Sequence, residues 1–508
     1  MSMRQLSILQ SNYGKCIVGD IMVDGESIFQ HKLFHGDWVQ EDDDYSLQSS
    51  QRSDFLIGGI LKLKNTYTFE KGDLFEFVPI NWRFPKFLVR SNIKNNLLKK
   101  KKRITNYFVV IKFKEWTDKI PRGMIVHSIG TVEEVCNRYE VLFYYYPTMT
   151  ISPCKPLDIR ANTTLSHVSC DTNIDIFTID PSGCEDMDDA LSYDPVRHRV
   201  GIHITDVTVW VDRFVPDKYF TVYAPHKNVH MFPLEISTQL ASLKEGEQKH
   251  VITCWIDIEN GVHTFEVHPI YVSKNMTYED AETLIRCEHP TMSELWKHSK
   301  KIGDQLGIQV TDTHKMIEVY MIYYNQAMAI YLKDHVDKTI YRSHQLHQRA
   351  FYTLEPHPHE QLQLPYYTHA TSPIRRYADF LIQKLFKQAD GSVVENDVIE
   401  KMNAYETGLK RLYRMWDYTK ASQKVENGKV YKVKFEQVEE ERVLFLCDEL
   451  EIRISMKIPF RQIEGEDDVF LIYGNKYRIH EDYRLPLYVV EDTKHTMFHK
   501  ILIEFPKN

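Results

Sequence analysis

The sequence predicts an α+β chain of several domains, with small β-barrels at both ends and a central region that mixes strands and helices. Three observations predict it. The 508 residues suggest several domains rather than one core. Both ends carry short strand-like segments separated by turn residues, whereas the centre holds a long apolar stretch free of Gly and Pro. The composition, 43% hydrophobic and 26% charged, is that of an ordinary globular protein.

Over roughly the first 155 residues, glycine stops fall at Gly14, Gly19, Gly25, Gly36, Gly58 and Gly72. Asp73 to Val78 mixes polar and apolar residues at short spacing, as a half-buried strand does. Pro79 and Pro85 bracket an expected junction, and a second run of strands is expected from Tyr107 to Tyr146. Two barrels in tandem fit these lengths. Between about 156 and 425, Val200 to Val211 reads as a buried strand and Met316 to Leu332 as a buried helix. Ile399, Met402, Leu409, Leu412 and Met415 keep roughly helical spacing and predict another helix. From Gly428 the period returns to two. Leu450, Ile452, Ile454 and Met456 are apolar, and Glu451, Arg453 and Ser455 between them are polar, so a third barrel is expected at 428–505.

No apolar run approaches the ~18 residues of a membrane span, and Met1 to Lys15 lacks the order of a signal peptide. The eight cysteines are scattered without a Cys-x-x-Cys pair, which argues against a zinc site or a disulfide framework. A reducing compartment, the cytoplasm, is expected. The net charge of −8 argues mildly against a passive nucleic-acid coat, which would be basic. It is compatible with an enzyme that holds an anionic substrate in a local basic channel and keeps carboxylates for metal ions.

The sharpest motif is Asp180-Pro181-Ser182-Gly183-Cys184-Glu185-Asp186-Met187-Asp188-Asp189, which places five acids within ten residues directly after the apolar stretch Ile174 to Ile179. Clustered carboxylates repel one another unless cations sit between them. Mg²⁺ takes oxygen ligands and leaves positions for phosphate and water. Two such ions ~3.5–4 Å apart can stabilise both the attacking and the leaving oxygen of a phosphodiester cleavage. A solvated acidic turn is the competing reading. An EF-hand loop fits worse, because no Gly follows Asp188 at the required step and no Glu closes the loop.

The second motif is Tyr367-Thr368-His369-Ala370-Thr371-Ser372-Pro373-Ile374-Arg375-Arg376-Tyr377. Ser372 can cap a helix and Pro373 suits its first position. Arg375 and Arg376 would then lie in the first turn, where the helix dipole disfavours cations. They need an anionic partner: a scissile phosphate, the acidic cluster, or a surface carboxylate.

Together the two motifs resemble the signature pair of the RNB-domain exoribonucleases, the ribonuclease II / ribonuclease R superfamily. Val200-Gly201-Ile202-His203-Ile204-Thr205-Asp206-Val207, Tyr223 with Met231-Phe232-Pro233 and Ser242-Leu243, Thr277-Tyr278-Glu279-Asp280, and Tyr341-Arg342-Ser343-His344 resemble further blocks of that family. The flanks are similar to the eukaryotic exosome-type branch. Phe34-His35-Gly36-Asp37-Trp38-Val39 resembles its first cold-shock barrel. Phe77-Val78-Pro79, Arg83-Phe84-Pro85-Lys86, Trp116, Pro121, Gly123 and Gly130 resemble the second. No nuclease-type segment is expected ahead of the first barrel.

The resemblance implies two N-terminal cold-shock OB-folds at 1–82 and 83–155, an α/β RNB catalytic domain at 156–425, and a C-terminal OB-fold at 426–508. It also implies a hydrolytic 3′→5′ exoribonuclease on single-stranded RNA with a free 3′ end. The products would be nucleoside 5′-monophosphates and the cofactors two Mg²⁺ ions, or Mn²⁺. A monomer is expected. Asp180, Asp186, Asp188 and Asp189 become metal-site carboxylates, with Asp188 also catalytic. Arg375, catalytic as well, steadies the scissile phosphate beside Arg376, and Tyr223 and Tyr278 stack on nucleotides. Val319 stands where the family carries an acid after Glu318, and Lys249 where it favours Arg.

Lys99-Lys100-Lys101-Lys102-Arg103 falls in an expected hairpin of the second barrel. Phosphate contact and an ordinary solvated loop are equally good readings. Most of the 30 tyrosines are read as core. His203, His344 and His369 are read as structural, since an oxygen-rich Mg²⁺ site needs no imidazole. The main alternative function is an inactive RNB-fold protein that only binds RNA; the four aspartates and Arg375 argue for the enzyme. An endonuclease lacks a motif of its own.

Overall fold

A computed structural model describes the chain except residues 1–2, 41–46, 51–53, 68–72, 147–173, 212–216, 346–348, 388–393, 440–441, 460–461, 467, 492–498 and 507–508. Gly72 and the expected boundary at 155–156 lie outside the described residues. The chain divides into two packed units, one of Met1–Met149, Ala224–His226 and Gly408–Asn508, the other of Thr150–Tyr223 and Lys227–Thr407. The fold is mixed α+β with OB-type barrels, as the strand and helix patterns predict.

In the first unit, the N-terminal strands Met3–Ile8, Cys16–Val18, Ile21–Val23, Trp38–Gln40 and Leu47–Ser49 form one antiparallel sheet. A closed barrel follows, made of Leu56–Tyr67, Leu74–Pro79, Phe87–Arg90, Tyr107–Glu115 and Arg122–Thr131. Closure needs every edge paired, and the short parallel pairing of Arg122 and Gly123 with Leu88 and Val89 supplies the last one. Leu56–Tyr67 pairs with both Leu74–Pro79 and Tyr107–Glu115, so the barrel begins well before the expected boundary at 83. Pro79 and Pro85 bracket a bend within the barrel, not a junction: Ile80 N donates to Gly58 O, and Phe84 N to Asn81 O.

Two further expectations for this region need correction. The strands stop at Thr131, and Val135–Leu142 is a helix that buries Tyr139, Val141 and Leu142. Gly58 leaves room for it, because a Cβ there would meet Val141 and Tyr144. The basic run is not a hairpin either. Lys99 ends the helix Ile93–Lys99, and Lys100 to Arg103 continue from it, all five exposed. Cations at a helix C-terminus are favoured by its dipole, which explains the run without a ligand; Arg103 lies 4.0 Å from Glu133.

At the C-terminus, Val430–Glu439, Arg442–Cys447, Ile452–Lys457, Asp482–Glu491 and His499–Ile503 build a five-stranded antiparallel sheet around Val433, Phe435, Phe445, Ile454 and Leu487. Ile452 and Ile454 point inward and Arg453 and Ser455 outward, matching the period of two; Leu450 is buried from a preceding 3₁₀ turn.

The second unit is built on a six-stranded sheet in the order His263–Tyr271, Gln248–Asp257, Arg199–Thr205, Asp189–Asp194, Ile176–Asp180, Lys274–Thr277. All its pairings are antiparallel except the last, where Ile176–Asp180 runs parallel to Lys274–Thr277. The expected strand from Val200 to Val211 ends at Thr205. Asp206 then accepts from Thr208 N and turns the chain into the 3₁₀ segment Val207–Val209. The apolar stretch at 316–332 lies in the helix Thr313–His335, started by Asp312, whose side chain accepts from Lys315 N. Val319 is fully buried in this helix, while Glu318 is exposed and paired with Lys315, so the acid missing at 319 is replaced by core packing. The helix expected around 399–415 is longer, Asn396–Lys424.

Candidate active site

Asp180 is the last residue of its strand and Asp189 the first of the neighbouring one, so the acidic loop joins two antiparallel strands at one end of the sheet. The loop opens with a turn in which Cys184 N donates to Pro181 O. Gly183 takes φ +80°, the left-handed conformation required at that turn position, which an L side chain resists. Its far end is fixed by two main-chain bonds and one to a side chain. Thr205 N donates to Asp188 O, Leu243 N donates to Met187 O, and Met187 N donates to Ser242 Oγ. Ser242 follows a π-helical turn, Ile236–Leu240, whose carbonyls at Gln239 and Leu240 accept from Lys249 Nζ. Lys249 therefore holds the shelf on which the acidic loop rests.

Asp186 and Asp188 are buried, and Asp180 and Asp189 are half-buried. Asp188 has both oxygens engaged. Oδ1 accepts from Ile374 N at 2.8 Å, and Oδ2 accepts from Arg375 Nε at 3.0 Å. Oδ2 of Asp186 accepts from the Tyr223 hydroxyl at 2.5 Å. Oδ2 of Asp180 is buried without a hydrogen-bond donor. Burial pushes the Asp180 carboxyl up to about 6 and that of Asp188 to about 7. Burial, then the charges of Asp180 and Asp188, drives Asp189 well above the usual carboxylate range.

Among the described residues, no three His, Cys, Asp or Glu groups stand in a ready-made metal cage. The donor chemistry nevertheless fits hard cations. Buried oxygen donors that repel one another, one of them without a partner, are what a divalent ion stabilises. Asp180, Asp186, Asp188 and Asp189 would hold it.

The arginine motif sits differently from the sequence expectation. The helix starts at Tyr377, so Arg375 and Arg376 precede it and do not lie in its first turn. The reason is a backbone bridge. Thr221 N donates to Arg375 O and Tyr377 N to Tyr219 O, which pulls Arg376 into an extended conformation. Ser372 to Arg376 form a turn instead, and its opening amide, Ser372 N, donates to Asp379 Oδ1. The two arginines diverge. Arg375 faces Asp188 with a side chain 46% exposed. Arg376 turns to buried Asp379 at 2.7 Å.

Tyr223 and Tyr278 are both brought to this end of the sheet. Tyr223 is pinned through its hydroxyl to Asp186, a contact the stacking reading did not include. Tyr278 follows Thr277, which pairs in register with Asp180. One ring face is covered by His314, with centroids 3.6 Å apart. Burial, then the nearby Asp189 and Asp180 carboxylates, raises its hydroxyl above the ordinary range. Lys99 to Arg103 belong to the first unit. His203 is a buried structural residue between Ser192 Oγ and Thr253 Oγ1, each at 2.8 Å, and His369 bonds the Tyr352 hydroxyl. His344 stacks on His359.

Sequence reasoning missed Asp379, Gln383, Ser242 as a loop anchor, and His230. Gln383 donates to Thr205 O at 2.6 Å and accepts from Val207 N, which fastens the helix after the arginines to the sheet. His230 lies 3.9 Å from Asp186. Ser242 left a trace in the sequence within the Ser242-Leu243 block, and His230 as a polar residue directly before the apolar Met231-Phe232.

Comparison with known proteins agrees with this arrangement. Residues 171–302 and 344–390 match the RNB domain, and residues 74–146 match the Dis3-like cold-shock domain 2 (CSD2). Ribonuclease R of Aquifex aeolicus is 22% identical over 400 residues, covering 55% of this chain and 56% of its own. The chain spans about half the length of the curated relatives it matches first. Mycoplasma genitalium RNase R in its apo form superposes with a TM-score of 0.77 at 18% identity, over 99% of this chain and 100% of that one. It has also been solved with ribose-methylated single-stranded RNA. Yeast Ssd1, described as a pseudonuclease, shares the fold with a TM-score of 0.63 at 14% identity, over 90% and 78% of the two chains.

Proposed function

This chain belongs to the RNB-domain superfamily of ribonucleases II and R, and on that premise we propose that it is a hydrolytic 3′→5′ exoribonuclease acting on single-stranded RNA. The observation that carries the proposal is the convergence of Asp180, Asp186, Asp188 and Asp189 at one end of the sheet, with Arg375 bonded to Asp188. Two Mg²⁺ ions held by those carboxylates would stabilise the attacking and leaving oxygens of the phosphodiester. Arg375, held by Asp188 at Nε, presents the rest of its guanidinium to a phosphate, and a planar fork grips two oxygens at once. Tyr223 and Tyr278 offer ring surface beside the carboxylates, where terminal bases could stack. The products would be nucleoside 5′-monophosphates.

A second reading, an RNA-binding protein without activity, draws on the shared fold with Ssd1. Retention of all four aspartates and the arginine weighs against it. One experiment separates the readings. A 5′-labelled oligoribonucleotide incubated with the pure protein and Mg²⁺ should shorten stepwise to a short stub. A 3′-phosphate should slow it greatly. Binding without shortening would establish the inactive reading, and rapid cutting of circular RNA would point to an endonuclease.

A further inference from the structure

Asp186 differs from the other three aspartates in its neighbours. Its Oδ2 accepts the Tyr223 hydroxyl, and Nδ1 of His230 lies 3.9 Å from the same oxygen. That separation is too long for a hydrogen bond. The ring nitrogen bonds to nothing else and is shut off from water, the side chain being 9% exposed. A buried nitrogen left without a partner calls for an explanation.

The backbone around His230 is fixed. Met231 N donates to Thr221 Oγ1, Met231 and Phe232 are buried, and Phe232 packs on Phe380 of the helix that follows the arginine turn. The ring nitrogen is therefore held beside Asp186 by the same core that places Arg375. Two donors sharing one cation each stand ~2.2 Å from it, so they lie roughly 3–4.4 Å from one another. The 3.9 Å gap falls in that range.

We infer that His230 is a nitrogen donor to the cation held at Asp186, giving that site a mixed oxygen and imidazole set that binds Mn²⁺ in preference to Mg²⁺. The inference rests on the cation-site reading of the aspartates. Carboxylate oxygens alone suit Mg²⁺ and Mn²⁺ alike, whereas imidazole favours the transition metal.

The test uses the full chain without RNA and Mn²⁺ as the probe. Pulsed electron paramagnetic resonance of the Mn²⁺ complex should show the coupling of a directly bound ¹⁴N in the unaltered protein and none in His230→Ala. By calorimetry, His230→Ala should weaken Mn²⁺ binding about tenfold or more and Mg²⁺ binding less than about threefold. The spectrum of the unaltered protein can overturn the inference even if that variant folds poorly, and His230→Gln, which offers an oxygen in place of the ring nitrogen, then assigns the coupling. A Mn²⁺ complex without ¹⁴N coupling, or with coupling that survives His230→Ala, overturns the inference. The aspartate reading then stands if Asp180→Asn weakens Mn²⁺ binding. If the unaltered protein binds neither ion, the cation site and the inference fall together.

Discussion

Asp188 is the most constrained side chain of the site, buried with one oxygen on Ile374 N and the other on Arg375. Asp188→Asn keeps the shape but removes the charge. Turnover should fall at least ~100-fold, the usual scale for losing one group that stabilises the transition state. RNA affinity should persist or tighten. Single-turnover decay of a labelled oligomer in Mg²⁺, beside a binding titration in Ca²⁺, checks both; near-normal turnover would remove Asp188 from the chemistry. The two arginines give a paired prediction. On the proposed role of Arg375, Arg375→Lys would lose a fork able to grip two phosphate oxygens, and should lower turnover ~100-fold with little loss of affinity. Arg376 faces Asp379, not the acidic loop. Arg376→Ala should act on stability, on the order of 3 kcal/mol for a buried carboxylate that keeps the Ser372 amide but loses its cation, measured as a drop in thermal midpoint. If Arg376→Lys were the variant that lost turnover, the roles would be reversed.

At the scale of elements, the site depends on a helix docked by polar bonds. Gln383 in Tyr377–Phe386 links Thr205 O and Val207 N, and Lys387 pairs with Asp206 just beyond the same strand. These fasten the arginine turn against the strand next to the acidic loop. Gln383→Met keeps the volume but leaves two buried backbone groups without partners, each costing about 1–3 kcal/mol. Chemical denaturation should show that loss. If Gln383 also sets the position of Arg375, turnover should fall further than substrate affinity. A variant of unchanged stability would show that the docking lies elsewhere. This element also explains a misread boundary. Ser372-Pro373 has the composition of a helix start, yet the bridge between Phe220 and Arg376 delays the helix to Tyr377. A partner 156 residues away in the chain overrode a local capping signal.

At the scale of the whole chain, the buried carboxylates link folding to pH and to metal. Asp180 and Asp188 are raised to about 6 and 7 by burial, and Asp189 further. A carboxyl raised above its unfolded value of ~4 stabilises the metal-free fold fully below that pH and loses the contribution as pH rises through the folded value. In chelator, this contribution should therefore lower the thermal midpoint as pH rises from about 4 to 8, opposite in sign to the acid denaturation common to all proteins. Added Mg²⁺ needs the ionised forms. It should raise the midpoint by roughly 5 °C or more at pH 8 and by much less at pH 5. Calorimetric scans with and without Mg²⁺ check this, and equal metal shifts at both pH values would count against the carboxylates as ligands.

The sequence alone determined the things that local chemistry controls: alternation in Ile452–Lys457, the apolar helix Thr313–His335, the density of acids from Asp180 to Asp189, and the pairing of two motifs that signals the family. Each is carried by residues a few positions apart, so the pattern is visible without the fold. The tertiary structure decided which groups meet. The contact of Arg375 with Asp188, the hold of Gln383 on Thr205, the strand Leu56–Tyr67 in the second barrel, and the place of His230 beside Asp186 all join residues distant in the chain. No spacing rule encodes such contacts, because they arise only when sheet pairing and core packing have fixed where each backbone runs.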